Sequence, residues 1–272
     1  MNDKVISKIV YRGEIMRKII SAVEKGIDKL ELLAKSILYG KAYRQNRKQY
    51  ILTNTRSNFT YHRKFAKPYY TDRYHAAGRL GAYFWQDLWA AHHLYEDHPE
   101  RHYDIGSRID GFIANVSSFI SEVILIDVRP LSQKIPNVTF QCMDATKLEN
   151  LDDGSISSIS SLCALEHFGL GRYGDTVNPE GCFEAFATIQ RVLKKGGKAY
   201  IAVPIGKEHV EFDAHRIFYA STIVNSFSEM DLVEFAAVHE LEDYIEYNID
   251  IHKYDDEYNG GLRFGLFEFV KR

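Results

Sequence analysis

The stretch His102-Tyr-Asp-Ile-Gly-Ser-Arg-Ile-Asp-Gly111, followed by Val123-Ile-Leu-Ile-Asp127, decides the fold class. It predicts a buried strand, a glycine turn that opens a helix, and a second buried strand that ends on a carboxylate. In a parallel sheet, this arrangement holds a small adenosine-containing cofactor over the carboxyl ends of the strands. The identity of that cofactor then largely determines the function.

The rest of the chain after residue 102 alternates strand and helix patterns, which is typical of a parallel α/β sheet. We predict strands at 102–105, 123–127, 138–142, 156–163, 198–204, 232–239 and 265–270. We predict helices at 82–97, 179–194 and 216–226. The last two strands follow each other without a helix between them, so a β-β pair closes the sheet. The expected class is α/β, Rossmann-like, with a mostly parallel sheet.

The N-terminal part has a different pattern. Apolar residues at helical spacing predict a helix over 14–39, with Gly40 just past its end. Residues 41–80 are aromatic, basic and aperiodic, which favours loops and short helices. We therefore expect an extension, 1–81, that covers a binding site or docks a partner, and a main domain, 82–272.

Charge is unevenly distributed, although the net charge is only −3. Residues 41–79 carry ten Lys/Arg and one acid, and residues 240–257 carry eight acids and one Lys. Both segments fit solvated faces of a globular protein. The basic one also fits an anionic partner: a phosphate-bearing substrate, a polyanionic glycan or a membrane surface.

Three cysteines without metal-ligand spacing fit a reducing compartment, so we expect a cytoplasmic protein. The sequence contains no apolar run of membrane-spanning length and no signal-peptide core. Contact with a membrane surface is kept as an alternative. The sequence does not indicate an oligomeric state.

The glycine turn discriminates between cofactors. A dinucleotide site needs a second glycine where this chain has Arg108, and Asp110 adds a negative charge beside the phosphates. S-adenosylmethionine has no phosphate and carries two cations that would suit Asp104. Asp127 is placed to accept the ribose hydroxyls and Asp144 the adenine amino group, with the Ala145 N–H beside the ring. Any one of these acids alone could be a helix cap or turn residue.

These motifs resemble those of class I S-adenosylmethionine-dependent methyltransferases, from about residue 82 to the end of the chain. The resemblance includes Ser161-Leu-Cys-Ala-Leu-Glu-His167 and Arg191-Val-Leu-Lys-Lys-Gly-Gly197. It implies a seven-stranded sheet ending in an antiparallel hairpin, with S-adenosylhomocysteine as product. The cofactor contacts it implies are Asp104, Ile105, Gly106, Ser107, Arg108, Asp127, Val128, Asp144, Ala145 and Cys163. More narrowly, the amino-acid sequences of segments 102–111 and 161–174 are similar to those of a bacterial domain-of-unknown-function family, whose members are often found near surface-glycan genes.

Methyl transfer to oxygen needs positioning and usually a base beyond the fourth and fifth strands. The candidate catalytic residues are Glu166, His167, Asp213 and His215, and Leu-Glu-His could equally be structural. His209, Asp213 and His215 also allow a metal alternative, but we predict no metal site. The stretch Gly169–Asp175 is predicted to be a lid or acceptor-binding loop.

The expected reaction is O-methylation of a sugar or glycan hydroxyl in surface-polysaccharide synthesis. The alternatives are N-methylation of an amino sugar or small metabolite, and a non-catalytic partner subunit that uses helix 14–39 for docking. A nucleic-acid acceptor is not expected, because the loop 161–167 lacks the Asn/Asp-Pro-Pro-aromatic pattern. The acceptor is therefore a small molecule or glycan, with an anionic one favoured by the basic segment.

Overall fold

The computed structural model describes residues 29–70, 72, 80–242, 244–258 and 261–272. The chain divides into two compact units, Met1–Arg79 and Leu80–Arg272. Across those described ranges, no helix is both long enough and apolar enough to cross a membrane.

The first unit contains helix α1, which is helical from residue 29 to residue 53. Residues 14–28 of the predicted helix lie outside the described residues. The prediction that Gly40 ends this helix is wrong. Residues 41–53 continue it, since good helix formers such as arginine and lysine extend a helix without an apolar stripe. Two short 3₁₀ turns follow, Ser57–Phe59 and Arg63–Phe65.

The second unit contains ten strands, in chain order β1 (Arg101–Ile105), β2 (Glu122–Asp127), β3 (Val138–Cys142), β4 (Ile156–Leu162), β5 (Leu193–Ile205), β6 (His209–Glu211), β7 (His215–Ile217), β8 (Met230–His239), β9 (Glu246–Tyr247) and β10 (Arg263–Lys271). Its helices are α2 (Ala82–Asp97), α3 (Ala114–Val116), α4 (Gly181–Val192) and α5 (Ala220–Ser226). A π-helical turn, Ile109–Ile113, leads into α3, and a 3₁₀ turn, Leu165–His167, follows β4.

Eight strands form one sheet in the order β3-β2-β1-β4-β5-β10-β8-β9. Strands β1 to β5 are parallel, and β10 lies antiparallel between β5 and β8. The expected Rossmann-like α/β class with a C-terminal antiparallel pair is confirmed. The eighth strand is the short β9, which pairs with the edge of β8.

Two local predictions need correction. The helix predicted at 216–226 begins only at Ala220, because residues 215–217 pair with β6 in a separate two-stranded hairpin. The helix predicted after Gly106 is one π-helical turn and one α-helical turn. Helix α2 matches its predicted range, 82–97.

The sheet is covered on both faces. One face packs against α2 and α3 through side chains that include Leu94, Phe112 and Val116. The other face packs against α4 and α5 through side chains that include Phe186 and Ile223. Because both faces are buried, β2 and the second half of β5 are largely apolar, as parallel strands between helices require. In contrast, β1 and β4 carry buried polar side chains that hydrogen-bond to one another.

This topology fixes where a ligand can bind. Strand β1 lies between β2 and β4. The order of the parallel strands therefore reverses at β1, with β2 and β3 on one side and β4 and β5 on the other. At such a switch point the loops diverge and open a crevice at the carboxyl ends of the strands.

Candidate active site

A cavity of about 460 Å³ opens at the carboxyl ends of β1 to β4. Its walls come from the segments that follow these strands and from the glycine-rich loop before α4. Among the predicted cofactor residues, those in the lining are Ile105, Gly106, Asp127, Val128, Asp144, Ala145 and Cys163. Three others, Asp104, Ser107 and Arg108, are not part of the lining.

The turn after β1 is held tightly by its own backbone. Gly106 has φ +69°, which favours glycine, and a Cβ there would lie 2.9 Å from the Cβ of Ala164. Its N–H donates to the Ile126 carbonyl at 2.9 Å. The Ser107 N–H donates to an Asp104 carboxylate oxygen at 3.0 Å. Both amides are therefore used inside the protein.

Asp104 lies fully buried beneath this turn. Besides the Ser107 amide, it accepts the hydroxyls of Ser107 and Ser160, each at 2.6 Å. Burial raises the pKa of Asp104 to about 6. Its predicted role as a partner for the cofactor's cations has no geometric support here, because its oxygens fix the turn.

The buried hydrogen bonds extend to His102. Its Nε2 lies 2.8 Å from the Ser160 hydroxyl, and its Nδ1 lies 2.7 Å from the Ser158 hydroxyl. Because Ser160 donates to Asp104, it accepts from His102 Nε2, and Nδ1 then accepts from Ser158. Burial lowers the pKa of His102 to about 3, so the ring is neutral.

Asp127 ends β2 and lines the cavity. Arg129 holds its carboxylate: the Arg129 N–H and Nε donate to Oδ1 at 2.8 and 2.9 Å, and Nη2 donates to Oδ2 at 2.6 Å. Arg129 also lines the cavity, and sequence reasoning missed it. Its position two residues after a strand-ending acid was the available signal.

The turn after β3 supplies the opposite wall. Asp144 Oδ1 accepts the N–H and hydroxyl of Thr146 at 2.9 and 2.8 Å, which fixes this turn. Its Oδ2 has no hydrogen bond within the part of the chain that the structure describes. Ala145 is buried beside it, and Val128 is 44% exposed. A planar ring bound between Val128 and Ala145 would have Asp144 Oδ2 at its edge as a hydrogen-bond acceptor.

Arg108 and Cys163 lie on the side of α2. Arg108 pairs with Asp110 at 2.8 Å and sits 5.3 Å from the Tyr83 ring centre, outside the cavity lining. Cys163 lines the cavity, and its thiol donates to Gln86 Oε1 at 3.0 Å. Burial raises the pKa of this thiol, so it is a neutral wall residue.

His167 lines the cavity just beyond β4. Its Nδ1 lies 2.6 Å from the Ala214 carbonyl oxygen, and its Nε2 lies 3.6 Å from Glu166 Oε1. Burial lowers the pKa of His167 to about 4. Burial also raises the pKa of Glu166 to about 8. Glu166 Oε2 is buried without a partner among the described residues.

Of the four predicted catalytic residues, His167 lines the cavity, whereas Glu166, Asp213 and His215 are not part of the lining. Asp213 is exposed in the β6–β7 turn with φ +66°. The His215 ring centre is 6.3 Å from that of His167, and its Nε2 lies 3.2 Å from a Glu211 oxygen. Within the described ranges, no group of three or more His, Cys, Asp or Glu side chains could hold a metal ion.

The glycine-rich loop predicted as a lid closes one side of the cavity. Asp175 accepts the N–H groups of Gly169, Gly171 and Tyr173 at 2.8, 3.3 and 3.2 Å. The Tyr173 ring centre is 5.3 Å from that of His167. The loop is therefore an ordered wall of the site. Further lining residues that the sequence did not single out include Met143, Thr146, Lys147 and Glu184.

Comparison with protein families gives one match. Residues 137–258 match the model described as "Caenorhabditis protein of unknown function, DUF268". The predicted similarity to a bacterial group near surface-glycan genes is not shown by this match. No curated protein matches this chain in sequence.

Solved structures show distant likeness. N-methyltransferase NodS from Bradyrhizobium japonicum WM9, in complex with S-adenosylhomocysteine, is 13% identical, with 84% of this chain and 97% of that chain covered and a TM-score of 0.47. The 1,6-didemethyltoxoflavin-N1-methyltransferase of Burkholderia thailandensis is 13% identical over 68% and 78%, with a TM-score of 0.47. The [4+2]-cyclase SpnF is 17% identical over 63% and 75%, with a TM-score of 0.45. At this distance, neither the ligands nor the reactions of those proteins transfer to this chain.

Proposed function

We propose that this chain is an S-adenosylmethionine-dependent methyltransferase. The observation that carries the proposal is the pair of carboxylates, Asp127 and Asp144, that line one cavity at the ends of adjacent strands. Two acids at this spacing fit the ribose hydroxyls and the adenine amino group of an adenosine. The neutral walls at Val128, Ala145 and Cys163 fit the apolar faces of the ring.

The same cavity disfavours a dinucleotide. A pyrophosphate needs free backbone amides at a helix N-terminus. Here the Gly106 and Ser107 amides are bonded to Ile126 and Asp104, and the segment that follows begins with a π-helical turn. A nicotinamide enzyme would lack its main phosphate contacts.

The cofactor would supply a methyl group already activated by the sulfonium. The protein then needs to align the acceptor and remove its proton. For an alcohol acceptor, the oxygen bonds to the methyl carbon as the sulfur–carbon bond breaks, and the hydroxyl proton goes to a base. His167 is the cavity-lining residue suited to this task.

Its tautomer supports that assignment. A carbonyl only accepts, so His167 Nδ1 carries the proton that is donated to Ala214. The neutral ring then has its free lone pair at Nε2. A low pKa makes this a weak base. Glu166 Oε1 lies 3.6 Å from Nε2, and burial keeps this carboxyl protonated at neutral pH. Glu166 is therefore a positioning residue in this proposal and supplies no negative charge to the ring.

For the acceptor, we propose a sugar or glycan hydroxyl, as the family resemblance implies. A base within the cavity supports oxygen methylation, since a hydroxyl must lose its proton and a neutral amine reacts without a base. N-methylation of an amino sugar is the second candidate. The acceptor-cover or docking role of residues 1–81 stays a prediction.

The test is calorimetric titration of the full chain with S-adenosylmethionine, S-adenosylhomocysteine and NAD⁺. Asp127→Asn should weaken binding of both adenosyl ligands about tenfold or more, since charge-assisted hydrogen bonds contribute ~1.5–3 kcal/mol each. The matched control is Asp152→Asn, an exposed aspartate outside the cavity. The affinity of this control for both adenosyl ligands should equal that of the parent.

The outcomes separate clearly. Micromolar binding of S-adenosylhomocysteine that depends on Asp127 supports the proposal. If the folded chain binds neither adenosyl ligand, the methyltransferase assignment is wrong and a partner-binding subunit is favoured. If NAD⁺ binds more tightly than both adenosyl ligands, the chain is assigned as a nicotinamide-dependent enzyme and not as a methyltransferase.

A further inference from the structure

Two arginines lie against one aromatic ring at the edge of the cavity. The guanidinium carbon of Arg129 is 4.5 Å from the Tyr173 ring centre, and that of Arg172 is 5.2 Å from the same centre. The ring of His167 meets Tyr173 edge-on at 5.3 Å. Arg129, Tyr173 and His167 line the cavity, and Arg172 is exposed beside Tyr173, so both cations lie near the proposed base.

The acidic side chains nearby already accept hydrogen bonds from groups of the protein. Asp175 accepts three loop N–H groups, and Glu184 accepts from the Asn178 amide at 3.0 Å. In contrast, the Arg172 guanidinium makes one hydrogen bond within the described residues, from Nη1 to the Ala214 carbonyl at 3.1 Å. Its Nε and Nη2 retain donors in the planar geometry that suits a carboxylate or phosphate.

Arg129 is tied to the proposed cofactor site. A carboxylate offers about four lone-pair sites, and Arg129 occupies three of those on Asp127. Two ribose hydroxyls need more than the one that remains. A bound ribose would thus displace the Arg129 guanidinium from Asp127, and the Tyr173 ring, 4.5 Å from the guanidinium carbon, is a second partner that could keep it in the cavity.

We infer that the acceptor carries an anionic group, a carboxylate or a phosphate ester, bound by Arg172 and by an Arg129 side chain that cofactor binding releases from Asp127. This inference rests on the proposed function, because the cofactor's ribose performs the release. It makes the two ligands cooperative: the cofactor raises affinity for the anion, and the anion raises affinity for the cofactor by the same factor.

The experiment is a ligand-observed NMR titration of the full chain with D-glucuronate, glucose 6-phosphate and glucose, each with and without saturating S-adenosylhomocysteine. We expect at least one charged probe to bind about tenfold more tightly than glucose. We also expect S-adenosylhomocysteine to strengthen that binding about fivefold or more. The two charged probes distinguish a carboxylate site from a phosphate site.

Variants locate the site. Arg172→Gln should remove the preference for the charged probe and leave S-adenosylhomocysteine affinity within about twofold of the parent. Arg129→Gln should remove the cooperativity and bind S-adenosylhomocysteine at least as tightly as the parent, since the guanidinium no longer occupies two acceptor positions of Asp127. Lys195→Gln, exposed at the start of β5, is the charge-matched control and should behave like the parent.

Two results would overturn the inference while the proposed function stands. In one, S-adenosylhomocysteine binds through Asp127, but charged and neutral probes bind equally and Arg172→Gln changes nothing. In the other, Arg129→Gln weakens S-adenosylhomocysteine binding, which would make Arg129 a cofactor ligand. If S-adenosylhomocysteine does not bind at all, the proposed function and the inference both fail.

Discussion

His167 Nδ1 and the Ala214 carbonyl oxygen lie 2.6 Å apart, which joins the end of β4 to the β6–β7 hairpin. This contact fixes the ring orientation and the tautomer. It also makes the hairpin, which sequence reasoning assigned in part to a helix, a support for the proposed base.

The first prediction concerns the pH dependence of catalysis. His167→Gln should lower kcat for methyl transfer by about 10²–10⁴-fold, because a positioned base contributes that much, and change S-adenosylhomocysteine affinity less than about threefold. Since burial places the pKa of His167 at about 4, the parent's kcat/KM should decrease only as pH falls toward that value. The measurement is a pH–rate profile with labelled methyl donor.

His92→Gln, exposed on α2, is the control for this profile and should match the parent. An acidic limb near the ordinary histidine pKa of ~6.5, absent in His167→Gln, would show that the site hydrates the ring and that burial does not set its pKa.

The second prediction concerns stability and Glu166. Burial raises the pKa of this carboxyl from 4.5 to about 8, so the folded state holds its proton more tightly than the unfolded state between these values. Its contribution to stability is present below pH 4.5 and is lost as pH rises toward 8. Glu166→Gln removes this dependence. Relative to the parent, the variant should gain several kcal/mol between pH 5 and pH 8, on the order of 1.4 per pKa unit.

Urea unfolding at both pH values measures this gain. Glu149→Gln, an exposed glutamate, should show no comparable change with pH. A constant difference between parent and Glu166→Gln would mean that the buried carboxyl does not take up a proton in this range.

The third prediction concerns the buried hydrogen bonds below the Gly106 turn. Ser160→Ala removes one bond to Asp104 and one to His102, and leaves both partners buried without a replacement. It should destabilise the fold by about 2–4 kcal/mol. S-adenosylhomocysteine affinity should also fall severalfold, because Asp104 holds the turn that lines the cavity.

Thermal and urea unfolding with calorimetric titration measure these two effects. Ser155→Ala, an exposed serine bonded to the Asp152 carbonyl, should cost less than about 1 kcal/mol. Equal stability of the two variants would show that water replaces the Ser160 hydroxyl.

The fourth prediction separates two glycines of the loop by the space around them. Gly169 and Gly174 both have positive φ, +76° and +84°. A Cβ at Gly169 would overlap the Asn178 carbonyl oxygen, whereas nothing lies within 4 Å of one at Gly174. Gly169→Ala should therefore destabilise the fold clearly more than Gly174→Ala, whose cost is that of backbone strain, about 1–2 kcal/mol.

Unfolding of both variants in parallel measures this difference. Similar losses would mean that Asn178 shifts to accept the methyl group. If Gly169→Ala alone also weakens S-adenosylhomocysteine binding, the loop is confirmed as a wall of the cavity.

The sequence by itself determined the sheet and its ligand-binding edge. Gly106, Asp127 and Asp144 lie at the end of a predicted strand or within two residues after it, so a local pattern carries their position. Helix α2 was also predicted from the sequence, over its observed range 82–97.

Only the tertiary structure decided which polar side chains face the cavity. Asp104 and Asp127 look equivalent in sequence, yet the Ser160 hydroxyl from β4 and the Ser107 hydroxyl from the turn bond to Asp104 beneath the turn. Arg129 and Tyr173 are 44 positions apart and meet only because two loops converge at one sheet edge. Burial by such distant segments also lowers the pKa of His167 and raises that of Glu166. Desolvation depends on everything that surrounds a group, and a sequence pattern records only its neighbours along the chain.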